Sequence, residues 1–171
     1  MLSKYLVCGK IVNTHGIAGE VRVENYCDTP EVLSSFKNVY FKKGEIYTKK
    51  KVNRSFVSKN AVVMKLEGVD NIDLAQSLRG TELYAAREDI PIEEGAYFIA
   101  DLIGLEVIDA ENGRVYGKIV DVINRGASDI YVINTKNGEV MFPAVPEFVD
   151  RTDIERAVYI NPIEGMFEDE I

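Results

Sequence analysis

Histidine occurs once in this chain and cysteine twice, and that scarcity removes several kinds of chemistry at the outset. One histidine cannot furnish the usual zinc set, so no metal site is expected. His15 with Cys8 or Cys27 is too little for a nucleophile and its base, even with Asp28 next to Cys27. There is no Gly-x-Ser-x-Gly elbow, Walker loop or His-x-x-Glu pair, and a flavin in the first half would rest on fold analogy alone, so no cofactor and no enzymatic activity are expected. Both cysteines lie in strand-like sequence, and nothing upstream of them has the charged-then-apolar opening of a secretion signal. The cytoplasm is therefore the expected compartment, without a structural disulfide. In that compartment the Asn53-Arg54-Ser55 sequon is accidental. No apolar run approaches the ~20 residues of a spanning helix, so no membrane partner is expected. Low-complexity tracts and repeats with a solenoid's period are absent too.

What is present is an ordinary globular balance over 171 residues, enough for one large or two small domains. The charge favours two. Up to Ile90 there are 14 Lys+Arg against 11 Asp+Glu, and beyond it 6 against 17, so the halves carry +3 and −11. An acidic surface repels phosphate and attracts cationic protein, whereas a mildly basic half with clustered lysines tolerates nucleic acid. Domains of this size bury only about 60 to 65% of their unfolded surface, so each is expected to be a compact barrel or sandwich around one core.

Strand signals dominate the chain. Glu20 to Glu24 alternates apolar and polar residues, and Val39 to Phe41, Val52 to Val57 and Ala61 to Leu66 are β-rich. Two helices interrupt them. Thr29-Pro30-Glu31 supplies a cap followed by proline at the first helical position, and residues 70–80 offer acidic starters, a Leu74/Leu78 pair and a terminal glycine. The second helix is expected to plug a barrel end, and residues 87–96 read as the domain connection. Beyond it, Asn112-Gly113 and Asn137-Gly138 each predict a type I′ hairpin between β-rich flanks. A turn-rich stretch from 143 to 155 then leads to a last strand, Ala157 to Asn161. The fold class is thus mainly all-β: two small β-barrels in tandem, with short helices.

The turn Asn13-Thr14-His15-Gly16-Ile17-Ala18-Gly19-Glu20 stands out, because two glycines permit positive φ and close approach in a tight connection. It leaves the imidazole of His15 at a barrel rim, available to a partner or bonded to nearby backbone. Lys42-Lys43 and Lys49-Lys50-Lys51, with Arg54 and Lys59 close behind, surround an expected hairpin at Gly44-Glu45. They suit nucleic-acid phosphates, while for individual lysines the protection of edge strands from sheet-to-sheet pairing is the better reading. Tyr40, Phe41 and Tyr47 alternate with core positions and read as packing rather than a platform for stacked bases.

Gly9 to Val23 resembles the opening of the bacterial ribosome maturation factor RimM family. Later blocks resemble it in the same order: Leu66-Glu67-Gly68-Val69 with Leu78 to Tyr84, then Tyr97-Phe98 with Asp101 to Val107, Gly117 to Val122, Gly126 to Ile130, Phe142-Pro143 and Val149 to Ile154. The resemblance implies a translation-factor-like barrel over residues 1–90 and a PRC-barrel over 95–171. It also implies a non-catalytic assembly factor, acting as a monomer, that binds the head of the immature small ribosomal subunit through a head ribosomal protein and nearby rRNA. Two adjacent tyrosines at the start of the family's second domain are its protein-binding residues. Here those positions hold Tyr97 and Phe98, so Tyr97 is carried over as a binding residue, Phe98 as packing surface, and Asp101 as an acidic neighbour. Glu93, Glu94 and Glu106 are further acidic candidates, while His15, Gly16, Lys49, Lys50 and Lys51 are the candidates for rRNA contact. Were the Tyr97-Phe98 segment extended, at most one of the two rings would point into the core. A PRC-barrel adaptor or sensor unrelated to ribosomes is the alternative, and the His15-Gly16 turn in a preceding barrel argues against it.

Overall fold

A computed structural model describes residues 2–124 and 126–167. The chain forms two compact units, Ser3–Pro91 and, in the main, Ile92–Ile171. In the first, β1 (Tyr5–His15), β2 (Glu20–Asn25), β3 (Asn38–Lys43), β4 (Ile46–Ser58), β5 (Ala61–Leu66) and β6 (Glu82–Ala86) close into a barrel ordered β1-β2-β5-β4-β3-β6. Closure rests on the antiparallel β1–β6 ladder and on a single β3–β6 pair, Tyr40 with Tyr84. Period-two alternation explains the inner face: Val21 and Val23 of β2 are fully buried between partly exposed neighbours, and they meet Ile11, Val39, Met64, Leu66 and Leu83 in one core. Gly9 lies in β1 near two bulges, where a Cβ would stand 2.7 Å from the carbonyl oxygen of Glu24.

Both expected helices form. α1 (Pro30–Ser35) begins at Thr29, whose side chain accepts the Val32 N–H, with proline at its start. It contributes Leu33 to the core, as α2 (Ile72–Ser77) contributes Ala75. The Leu74/Leu78 pair does not form a buried stripe. Leu74 is exposed and Ala75 and Leu78 face the core, because Asn71 caps the helix by accepting the Leu74 N–H and this fixes which face points inward. Cys27 also departs from expectation. It lies beyond the end of β2, where Asn25 holds its backbone, while Cys8 is buried within β1; both thiols are free.

The second unit contains α3 (Ile99–Leu102), β7 (Glu106–Asp109), β8 (Val115–Asn124), β9 (Asp129–Thr135), β10 (Gly138–Pro143), β11 (Val149–Asp153) and β12 (Ala157–Ile160). Its ladders run β10-β9-β8-β7-β12-β11, antiparallel except for the parallel β7–β12 pair. Val107, Ile119, Ile133, Phe142, Val158 and Ile160 form its core with Leu102 of α3. β11 was not anticipated: Val149-Asp150-Arg151-Thr152-Asp153 has too few apolar residues to signal a strand locally, and pairing with β12 makes it one.

Both hairpins form, but neither turn is type I′. That type needs positive φ at both central residues, and neither Asn112 nor Asn137 has it; only Gly113 (φ 77°) and Gly138 (φ 118°) do. In the first, the buried Asp109 carboxylate accepts the N–H groups of Glu111 and Asn112, wrapping a longer loop around itself. In the second, Lys136-Asn137 make the turn and Gly138 already pairs with Thr135.

Candidate functional site

The connection between units ends in a turn that positions an aromatic ring. Gly95 takes φ +80° and the Ala96 N–H bonds to Glu93 O at 3.0 Å, so the chain reverses just before Tyr97. Tyr97 is 41% exposed. Phe98 is half-buried and begins α3, whose Leu102 is inserted in the second core. The helical turn that starts there replaces the extended segment for which strand alternation would place the two rings on opposite sides.

Tyr97 lines an open cleft of about 370 Å³ within the second unit. Gly95 and Ala96 flank it, Asp129 and Tyr131 come from β9, and Val149 to Thr152 come from β11. Burial, reinforced by the nearby Asp129 carboxylate, pushes the Tyr131 hydroxyl up to about 12, so it stays protonated. Asp129 accepts a bond from the Asn124 amide at 2.8 Å. Asp150 pairs with Arg151 at 3.0 Å, and the Arg151 guanidinium lies 3.7 Å over the Tyr159 ring. The cleft thus offers aromatic surface with two carboxylates at its walls, Asp129 and the Arg151-paired Asp150, a combination suited to polar and amphipathic side chains of a protein. Of the second-half candidates, only Tyr97 lines it. Phe98 and Asp101 are half-buried in the adjoining turn, and Glu93, Glu94 and Glu106 are exposed away from its lining.

In the first unit, His15 is the last residue of β1, exposed, with its ring 6.0 Å edge-on to Phe56. Gly16 takes φ +65° at the open tip beside Ile17, which is 81% exposed. The base of this turn is fixed. A Cβ on Gly19 would collide with the Val69 carbonyl, and the Lys65 ammonium reaches the carbonyl oxygens of both Ala18 and Val69 and the carboxylate of Asp70. His15 and the lysines are not one site. Phe56, its neighbour, is seven positions along β4 from Lys49, roughly 20 Å at the rise of a strand.

Lys49, Lys50 and Lys51 are successive residues of one strand and so alternate in direction. Lys50 sits 5.6 Å over Phe41, which packs on the core, so Lys49 and Lys51 belong to the opposite face. Although the barrel is closed, only Val52 to Ser58 of β4 pair with β5, and the preceding half has its ladder with β3 alone. Tyr40 and Tyr47 do pack, but on other rings rather than on the core. They lie outside the core and cluster with Tyr5 and Tyr84 at centroid distances of 4.3 to 5.3 Å. The two-residue turn at Gly44-Glu45, which sets Tyr47 across from Lys42 and so on the face of Tyr40, was a signal in the sequence; the contribution of Tyr5 and Tyr84 was not, since it depends on barrel closure. Among the described residues no three of His, Cys, Asp and Glu are grouped as a metal would require, and no helix is long and apolar enough to cross a membrane.

Two family models match the chain in the order of its units: the RimM N-terminal domain over residues 6–90 and the RimM PRC barrel domain over 99–166. The chain belongs to the RimM family. A protein of Clostridioides difficile named ribosome maturation factor RimM is 39% identical over 163 residues, covering 94% of each chain. A Clostridium botulinum protein of the same name is 41% identical, covering 95% of this chain and 97% of its own. A crystal structure from Pseudomonas aeruginosa, described as a 16S ribosomal RNA processing protein RimM, is 25% identical, with TM-score 0.48 over 93% of this chain and 98% of that one. Tyr97 and Phe98 lie between the two RimM matches, at the threshold of the PRC barrel.

Proposed function

We propose that this protein is a non-catalytic ribosome maturation factor of the cytoplasm that binds, as a monomer, the head of the immature small ribosomal subunit. There it promotes maturation and processing of small-subunit rRNA, with the second unit on a head ribosomal protein and the first on nearby rRNA. The observation that carries this reading is the exposed Tyr97 ring at a carboxylate-walled cleft in a unit of net charge −11, together with membership of the RimM family. Ribosomal proteins are strongly basic, so long-range attraction speeds encounter, and a rigid aromatic anchor supplies contact area at little entropic cost. The factor acts by differential affinity: it binds the immature head more tightly than the finished one and thereby shifts the population toward productive arrangements.

Tyr97→Ala tests the reading. Loss of an interface anchor of this kind typically weakens binding by about tenfold or more, so cosedimentation with small subunits is expected to fall by that factor. The ring is exposed, so thermal unfolding is expected to stay the same. A folded Tyr97→Ala protein that cosediments as before removes this residue from the interface, and a wild-type chain that never comigrates with free small subunits at low salt removes the function.

A further inference from the structure

The outer face of the β3–β4 hairpin interleaves aromatic and cationic residues. Register sets Tyr40 opposite Lys49, Lys42 opposite Tyr47, and Lys51 opposite Asn38. Tyr84 lies beside Tyr40 at the pair that closes the barrel, and Tyr5 stacks on Tyr47 with centroids 4.3 Å apart and planes 23° from parallel. The Lys42 ammonium stands 5.6 Å from the Tyr47 centroid and 5.9 Å from that of Tyr84. All four rings are half-buried and none belongs to the barrel core.

We propose that this face binds unpaired RNA, with bases extending the tyrosine stack and Lys42, Lys49 and Lys51 meeting the phosphates; the proposal rests on the reading that the first unit contacts rRNA. Charge complementarity chooses the occupant, since this unit carries +3 and its cations line the hairpin. The rings choose the strandedness. A base offers its π-face only when it is out of a duplex, and aromatic side chains along a basic surface are how proteins hold such strands. Tyr5 and Tyr47 are already stacked, so part of the ordering precedes binding. Lys42 covers the rings through exposed cation–π contacts and a hydrogen bond with Tyr47, surface interactions that can be exchanged for a phosphate. Acidic groups border one side: Glu82 accepts the Tyr84 hydroxyl at 3.2 Å, and Glu88 and Asp89 lie close enough to Tyr40 to raise its pKa, after burial and Tyr5. The phosphate path therefore runs along β3 and β4, away from β6.

The chain has no tryptophan and nine tyrosines, four of them in this cluster, so quenching that is lost in a Tyr47 variant reports on this face. The full chain is titrated with an unstructured RNA of about 12 nucleotides, within the span such surfaces occupy, and with a duplex of equal length. The single strand is expected to quench tyrosine emission and to bind more tightly than the duplex. Tyr47→Ser is expected to weaken strand binding about tenfold, the usual effect of losing one stacked base, and Tyr47→Phe to restore it. Lys42→Gln with Lys49→Gln is expected to flatten the salt dependence. Equal affinity for strand and duplex overturns the proposal, as does wild-type strand binding by a folded Tyr47→Ser protein. Should Tyr47→Ser not fold, an unchanged salt slope in the double lysine variant overturns it instead. Loss of binding to a purified ribosomal protein with RNA binding intact would make the face a protein contact and overturns it too. Cosedimentation with small subunits is measured alongside: if it persists while strand preference is absent, this face is wrong and the subunit reading stands.

Discussion

The two units are each built from six strands, yet they solve different problems. The first closes its barrel through one cross-strand pair, Tyr40 with Tyr84, and so places tyrosines on its outside. The second ends its ladder at β10 and β11, and residues of β9 and β11 with the segment 144–146 line the Tyr97 cleft. One carries +3 and presents a convex aromatic and cationic face; the other carries −11 and presents a concavity with carboxylates at its walls. A closed barrel leaves few free backbone groups and offers a partner mainly its side chains, whereas the second sheet keeps a recess lined from β9 and β11. Strand count therefore says little about what each unit can bind. Closure and charge say more.

The contrast can be broken most severely through the cores. Phe142→Ala in the second unit and Leu33→Ala in the first each remove a fully buried side chain, at a cost of about 3–5 and about 2–5 kcal/mol. If the units are independent, calorimetry is expected to show two transitions, each variant lowering only its own; a shift of both by either variant would erase the comparison.

A smaller effect is expected at the turn that fixes the His15 loop. Gly19→Ala places a methyl against the Val69 carbonyl at φ +95°, and backbone strain with local overpacking is expected to cost about 2–3 kcal/mol. Because Gly16 has open space around it, Gly16→Ala bears only the strain of its positive φ, expected at about 1 kcal/mol. Urea unfolding of the two variants checks this. Equal losses would mean that the turn is not braced by Val69.

The smallest effect sharpens the second unit's response to acid. Asp109 is held below the usual carboxylate range, first by the Tyr116 hydroxyl at 2.7 Å and then by the Glu111 N–H. A depressed pKa stabilises above the unfolded value of about 4 and is lost as pH falls through the folded value, so the second unit is expected to weaken below about pH 4. Tyr116→Phe removes the main cause, is expected to cost about 1 kcal/mol at neutral pH, and should flatten that acid limb. Thermal unfolding from pH 6 downward reads both. An acid limb unchanged in the variant would assign the loss to other carboxylates.

Much of the architecture was legible because it is local. Thr29 and Pro30 announce α1, Gly44-Glu45 announces the β3–β4 hairpin, and the alternation of Val21 and Val23 announces their inward direction. What misled was chemistry with two outcomes. Asn-Gly suits a primed turn, but the Asp109 carboxylate captured one loop and a one-residue shift placed Gly138 in the ladder of the other. Tyr97 was legible only through family resemblance, since nothing local distinguishes an exposed tyrosine before a helix from one in a strand. The tyrosine face was half legible: the two-residue turn that sets Tyr40 and Tyr47 on one face was there to read, while Tyr5 and Tyr84 join them from strands distant in sequence.

By itself the sequence determined the β-rich character, the helix caps, the glycine-dependent turns and the division of charge, because each depends on a residue and its near neighbours. Only the tertiary structure decided which barrel face carries the tyrosines, that β11 is a strand, and that residues 95–97 share a cleft with 129–131 and 149–152. Those outcomes depend on strand pairing between distant segments, where a shift of one residue exchanges the two faces of a strand and no local pattern can choose between them.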